Sequence, residues 1–262
     1  MVVRHADGTL FQVALDPAFA AVFLLVTFSF GPSIAGVVTV ALFKGAEGLR
    51  ELWRRTLKFA IPLRWVLTVV GIPIVLSIAS VVLGYVLGGM QPMPYSFLVP
   101  LGFAVPLLIY MIIFTGLAEE LGWRGYALPE LQRTHTAERA SWILGILWGL
   151  WHLPSNLLTP YLRGDLTVPL AIAIVLGLTL GIVGWTIVIT WIYNNTGSLF
   201  WIIILHGWAN TVQSYVVLSA GSYTAQGIYG VLPWAIALFL LKRYGVATLT
   251  GKSKATPSAD VA

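Results

Sequence analysis

Two adjacent carboxylates, Glu119 and Glu120, close an apolar run from about Phe97 to Ala118 in a chain with only ten acidic residues. A charge within a bilayer costs ~2.5 to 3.5 kcal/mol near a helix centre on insertion scales, and less toward the interface, so its presence points to chemistry. Arg124 follows Glu120 by four residues and shares its helix face. Glu119 lies roughly 100 degrees round the same helix, so the two carboxylates have different tasks. Later apolar segments carry His152, four residues after Trp148, and His206, four residues before Asn210. Histidine activates water or binds a metal. A histidine and an amide on one helix face can present donors to one point, as an oxyanion requires.

Each element also has a plainer reading. The glutamates can be interfacial residues paired to arginines at a helix end, and His152 a hydrogen-bonded packing residue. His206 and Asn210 can join helices through ordinary bonds averaging about 0.6 kcal/mol. Coincidence favours chemistry. At about 1.5 Å per residue His152 lies roughly 18 Å and His206 roughly 12 Å into their helices, compatible depths, while His5 and His135 fall in solvent-side segments. The absence of cysteine excludes disulfides and thiolate nucleophiles or metal ligands. No Ser-His-Asp set or Gly-x-Ser-x-Gly elbow is present, so activated water is the nucleophile these residues suit.

The elements that must position them are membrane helices. With 58% hydrophobic and 10% charged residues the composition is that of a polytopic membrane protein. A span needs roughly 20 apolar residues. Seven stretches qualify, near 18–42, 65–89, 96–118, 140–160, 168–193, 198–220 and 226–241. Each must be helical, because lipid offers no partner to an open strand edge. The fold class is an all-α bundle of about seven transmembrane helices. Thirteen of the fifteen basic residues fall in alternate connections or the C-terminal tail, with Arg4 and Arg163 opposite. The positive-inside rule then places the N-terminus outside, the C-terminus in the cytoplasm, and Glu119 and Glu120 toward the cytoplasmic face of the cell membrane. This asymmetry explains the net charge of +5, and no nucleic-acid partner is called for.

Residues 1–17 read as an extracytoplasmic segment without a cleavable signal, 18–244 as one membrane domain with its core at 97–215, and 245–262 as a disordered cytoplasmic tail. Leu49, Leu52, Trp53, Leu57 and Ile61 alternate with cations at helical spacing and predict a helix lying on the headgroups. Pairs at i,i+4, Gly84 with Gly88, Gly145 with Gly149 and Gly177 with Gly181, allow close helix approach. No internal repeat supports a transporter built from inverted halves.

At these residues the sequence resembles the CAAX prenyl endopeptidase and bacteriocin-processing family of intramembrane proteases, also called abortive-infection proteins. Glu119, Glu120 and Arg124 match its Glu-Glu-x-x-x-Arg motif, Trp148 and His152 its aromatic-x-x-x-His motif, and His206 and Asn210 its His-x-x-x-Asn motif. The likeness covers about 97–215 and, less specifically, the helix around Gly31 and Pro32. The resemblance implies an endopeptidase of the glutamic type, without a cofactor, acting on a peptide or protein substrate. Glu119 would activate water with help from His152, His206 and Asn210 would stabilise the oxyanion, and Glu120, Arg124 and Trp148 would support the site. It also implies eight helices, one more before the Gly31–Pro32 helix than this sequence carries. Two alternatives stay open. Glu119, His152 and His206 form a two-histidine, one-carboxylate set able to hold zinc. The same cavity could also serve a non-enzymatic membrane immunity or scaffold protein.

Overall fold

The computed structural model describes residues 17–89 and 95–251, with side chains from Ser29 onward except Thr159. Among these residues it is helical without strands, as an apolar chain that must satisfy its own backbone requires. Helix α1 (Pro17–Thr56) is broken at Gly45, whose φ of 59° and ψ of −154° turn the basic stretch away from the apolar span. Helices α2 (Leu63–Leu87), α3 (Leu101–Thr134), α4 (Ala137–Leu162) and α5 (Val168–Thr196) follow. The bundle is completed by α6 (Leu199–Gln213), which runs into a π-helical turn over Ser214–Leu218, and by α7 (Tyr223–Tyr244), bent at Pro233.

These seven helices overlap the seven expected spans, and the molecule is a polytopic helical membrane protein. Five stretches, Ser29–Thr56, Leu63–Leu87, Leu101–Thr134, Val168–Thr196 and Tyr223–Tyr244, are long and apolar enough to cross a bilayer. The two helices outside that set, α4 and α6, carry His152 and His206.

Boundaries differ from expectation in three places. Helix α3 does not end at Ala118 but continues to Thr134, so Glu119 and Glu120 sit inside a helix rather than at its end. The helix expected over Leu49–Ile61 stops at Thr56, with Leu52 fully buried against Gly125 and Leu199, so it packs on the bundle as well as facing outward. The segment after Tyr244 was expected to be disordered. Over residues 245–251 it is docked instead. Leu249 is buried, Ala137 N–H and Glu138 N–H donate to the carbonyls of Ala247 and Val246, and Asn194 and Asn195 bind the carbonyls of Thr248 and Leu249. The first residues of α4 have backbone N–H groups with no partner inside the helix, and this strap supplies one. Residues 1–16 and 252–262, where the N-terminal segment and the rest of the tail were assigned, lie outside the described residues.

Small residues set the interhelical distances. A Cβ at Gly145 would fall 2.7 Å from Val183 Cα and one at Gly149 would fall 2.9 Å from Thr179 Cα, which brings α4 and α5 into backbone contact. Gly84 approaches Ala225 of α7, and Gly181 approaches the Gly230 carbonyl. Gly177, expected to join this packing, has open space around it instead. Polar ties gather one end of the bundle: Lys44 pairs with Glu130, Arg55 binds Tyr193 and the Gly125 carbonyl, and Lys58 donates to the Thr196 carbonyl.

Candidate active site

Helix α3 is irregular where the carboxylates stand. π-helical turns at Ile112–Leu117 and Trp123–Ala127 bracket a short α-helical stretch, Ala118–Gly122, that holds both glutamates. Such turns rotate the residues between them relative to the rest of the helix and recur at functional sites. The stretch is pressed against α1, where Gly122 faces the backbone of Pro32 and Ser33 donates to the Leu117 carbonyl at 2.8 Å.

The two carboxylates have separate surroundings. Glu120 is fully buried and accepts two bonds from Arg124 Nη1, at 2.9 and 3.2 Å, with Arg124 also fully buried. The same glutamate meets His206 Nδ1 at 2.8 Å. The Arg124 guanidinium lies 4.2 Å over the ring of Trp148 and reaches Thr186 Oγ1 at 3.5 Å. A buried carboxylate thus has a buried cation against it, as its desolvation requires. Among the described residues Glu119 forms no ion pair with a lysine or arginine. Its Oε2 accepts from Trp148 Nε1 at 2.6 Å, and its Oε1 lies 3.8 Å from His152 Nε2.

The histidines are oriented through their Nδ1 atoms. His152 Nδ1 lies 2.8 Å from the Trp148 carbonyl, which only accepts, so Nδ1 carries the proton and Nε2 faces Glu119. His206 is held by Glu120 in the same manner. Asn210 Nδ2 donates to Thr115 Oγ1 at 3.1 Å, while the Thr115 hydroxyl donates to the Met111 carbonyl at 2.5 Å. That relay fixes the amide with its NH2 group toward Thr115 and leaves one N–H for another acceptor. Trp148 is central: its ring is 5.6 Å from His152 and 5.4 Å from His206, centroid to centroid.

The structure therefore brings Glu119, Trp148 and His152 together, and separately Glu120, Arg124 and His206, with Asn210 on the His206 face of α6. The pairing of His206 with Glu120 differs from the alternative zinc set, which needs His206 beside Glu119. Among the described residues no three His, Cys, Asp or Glu side chains converge to hold a metal. Two contributors went unnoticed in the sequence, Thr115 and Thr186. Thr115 had a signal, being four residues before Glu119 in an otherwise apolar run. Thr186 had none, since its contact with Arg124 exists only through the packing of α5 on α3.

A cavity of about 290 Å³ opens beside these groups, lined by Trp148, His152, His206 and Asn210 together with apolar residues such as Ile182 and Leu205. Its walls come from α4, α5, α6 and α7.

Residues 100–212 match the family model for the type II CAAX prenyl endopeptidase, Rce1-like. The matched region runs from the start of α3 to the last turn of α6 and contains Glu119, Glu120, Arg124, Trp148, His152, His206 and Asn210. CAAX prenyl protease 2 of Methanococcus maripaludis is 30% identical over 142 residues, 53% of this chain and 52% of that protein. The chain spans about half the length of the curated relative it matches.

Proposed function

From the match of residues 100–212 to the CAAX prenyl endopeptidase family model and the similarity to CAAX prenyl protease 2, we propose that the chain is an intramembrane endopeptidase of that family using water activated by Glu119. The observation that carries this reading is the 3.8 Å separation of Glu119 Oε1 from His152 Nε2, two acceptors facing one point while Trp148 and its carbonyl hold their other atoms. A water donating one hydrogen to each would be held with a lone pair directed at a substrate carbonyl. Glu119 takes the proton as the C–O bond forms, and the tetrahedral oxyanion accepts from the spare Asn210 N–H. His206 donates to it through Nε2 while its Nδ1–H is held by the Glu120 carboxylate. The proton on Glu119 then passes to the departing amine nitrogen as the C–N bond breaks. No covalent enzyme intermediate and no cofactor enters these steps.

The test uses a fluorogenic prenylated CAAX peptide, the class after which the matched relative is named, with the purified protein in detergent. Glu119→Gln keeps the shape and removes the base. It is expected to insert and melt like the unaltered protein and to lose cleavage by ~10² to 10⁴-fold, the contribution of a positioned general base. Cleavage near the unaltered rate in Glu119→Gln would overturn the peptidase reading and favour the scaffold.

The zinc-dependent version draws on one observation: both histidines have Nδ1 engaged and Nε2 free, the state of a metal-bound imidazole. The glutamic reading predicts activity unchanged by EDTA or phenanthroline and substoichiometric zinc by elemental analysis. Stoichiometric zinc lost in both His152→Ala and His206→Ala would establish the metal instead.

A further inference from the structure

Beyond the four groups that act on the scissile bond, the cavity carries amides that the proposed reaction does not use. Gln213 stands three residues after Asn210 and seven after His206, so the three share one stripe along α6. It lines the cavity, is half-buried, and its side chain makes no hydrogen bond with the described residues. Asn156 lines the same cavity from α4, one turn beyond His152. Its Nδ2 is committed to the His152 carbonyl at 2.8 Å, which leaves Oδ1 as an acceptor. Around them the wall is apolar, with Leu178, Ile182, Ile189 and Leu205.

A peptide drawn into such a cavity gives up water at every N–H and C=O, and each group left unpaired costs about 1 to 3 kcal/mol. The scissile carbonyl is served by Asn210 and His206. Its neighbours along the substrate need partners too. Gln213 lies about 4.5 Å along the α6 axis from Asn210 at about 1.5 Å per residue. An extended peptide advances about 3.4 Å per residue. The reach of the glutamine side chain covers the difference, and a primary amide supplies both a donor and an acceptor.

We propose that Gln213, with the Asn156 carbonyl oxygen across the cavity, binds the peptide group next to the scissile bond, so that the site selects extended peptide backbone rather than a particular side chain. The proposal rests on the peptidase reading of this same site, and Gln213 lies just beyond the matched region, which ends at residue 212.

The experiment pairs protein and substrate changes. Prenylated CAAX peptides are made with an ester in place of the amide on either side of the scissile bond, which removes one N–H and weakens one carbonyl. KM and kcat are measured with Gln213 intact or changed to Leu, and Kd is measured in Glu119→Gln protein so that binding is read without turnover. Gln213→Leu is expected to raise KM and Kd about tenfold, equivalent to about 1.4 kcal/mol, with kcat within about twofold. One of the two esters should weaken binding to protein with Gln213 intact by a similar factor, and lose nothing further in Gln213→Leu. A change under twofold in Gln213→Leu, or an equal loss for amide and ester peptides, overturns the assignment. If Gln213→Leu fails to fold, the ester series on protein retaining Gln213 still decides, since neither ester weakening binding overturns it. Ester-sensitive, Gln213-dependent binding without any cleavage by the unaltered protein would sink the peptidase reading and leave this assignment standing. A protein that binds neither peptide overturns both.

Discussion

Glu119 and Glu120 are neighbours in the chain with opposite circumstances. Glu120 is enclosed by Arg124, His206 and, through the arginine, Trp148 and Thr186. Removing one partner of a buried ion pair leaves an uncompensated charge, which costs about 3 to 5 kcal/mol. Arg124→Leu is therefore expected to destabilise by that order in a thermal melt in detergent, and most of its loss of activity should track the unfolded fraction. Asn210→Ala acts differently. It removes one oxyanion donor, so turnover should fall by ~10² to 10³-fold with the melting temperature nearly unchanged. A stability loss in Asn210→Ala as large as that in Arg124→Leu would mean that its bond to Thr115 is structural and that the oxyanion role is wrong.

At the scale of elements, two glycines separate packing from cavity. Gly122 lies between the π-helical turns of α3, and a Cβ there would collide with the Pro32 carbonyl of α1. Gly122→Ala forces those helices apart and should cost about 1 to 3 kcal/mol, the range for overpacking a close contact. Because the glutamates are in the same short stretch, cleavage should fall with it. Gly177 on α5 lines the cavity and has nothing within 4 Å of where a Cβ would stand. Gly177→Leu should leave the melt within about 0.5 kcal/mol and raise KM by filling the substrate's space. Unfolding in Gly177→Leu, or unchanged KM, would show that the cavity is not where the substrate lies.

For the whole molecule, the basic residues and the tertiary ties agree on one end of the bundle. Lys44, Arg55 and Lys58 of the first connection bind the ends of α3 and α5, and the 246–247 backbone joins the start of α4. Arg163 lies past the far end of α4. The positive-inside rule assigns the basic end to the cytoplasm. A reporter fused after Gly251 should then read cytoplasmic and one inserted at Gly164 should read outside. The reverse result would place the site at the opposite membrane face.

The sequence alone determined what is local. Long apolar runs must be helical in lipid, so the seven helices were legible, and the 3.6-residue period put Arg124 beside Glu120, Trp148 beside His152 and His206 beside Asn210. What it left open was how each helix is rotated against the next. That rotation gave His206 to Glu120 instead of Glu119, brought Thr115 under Asn210 and Thr186 under Arg124, and turned Gln213 into the cavity. It follows from the π-helical turns of α3 and from the glycines that let α3 meet α1 and α4 meet α5. The docked 245–251 strap escaped notice for a related reason: its short polar composition resembles disorder until the ends of α4 and α5 offer it backbone and asparagine partners. Spacing within one helix is fixed by covalent geometry, whereas pairing between helices depends on which faces pack, and that is decided only when the bundle closes.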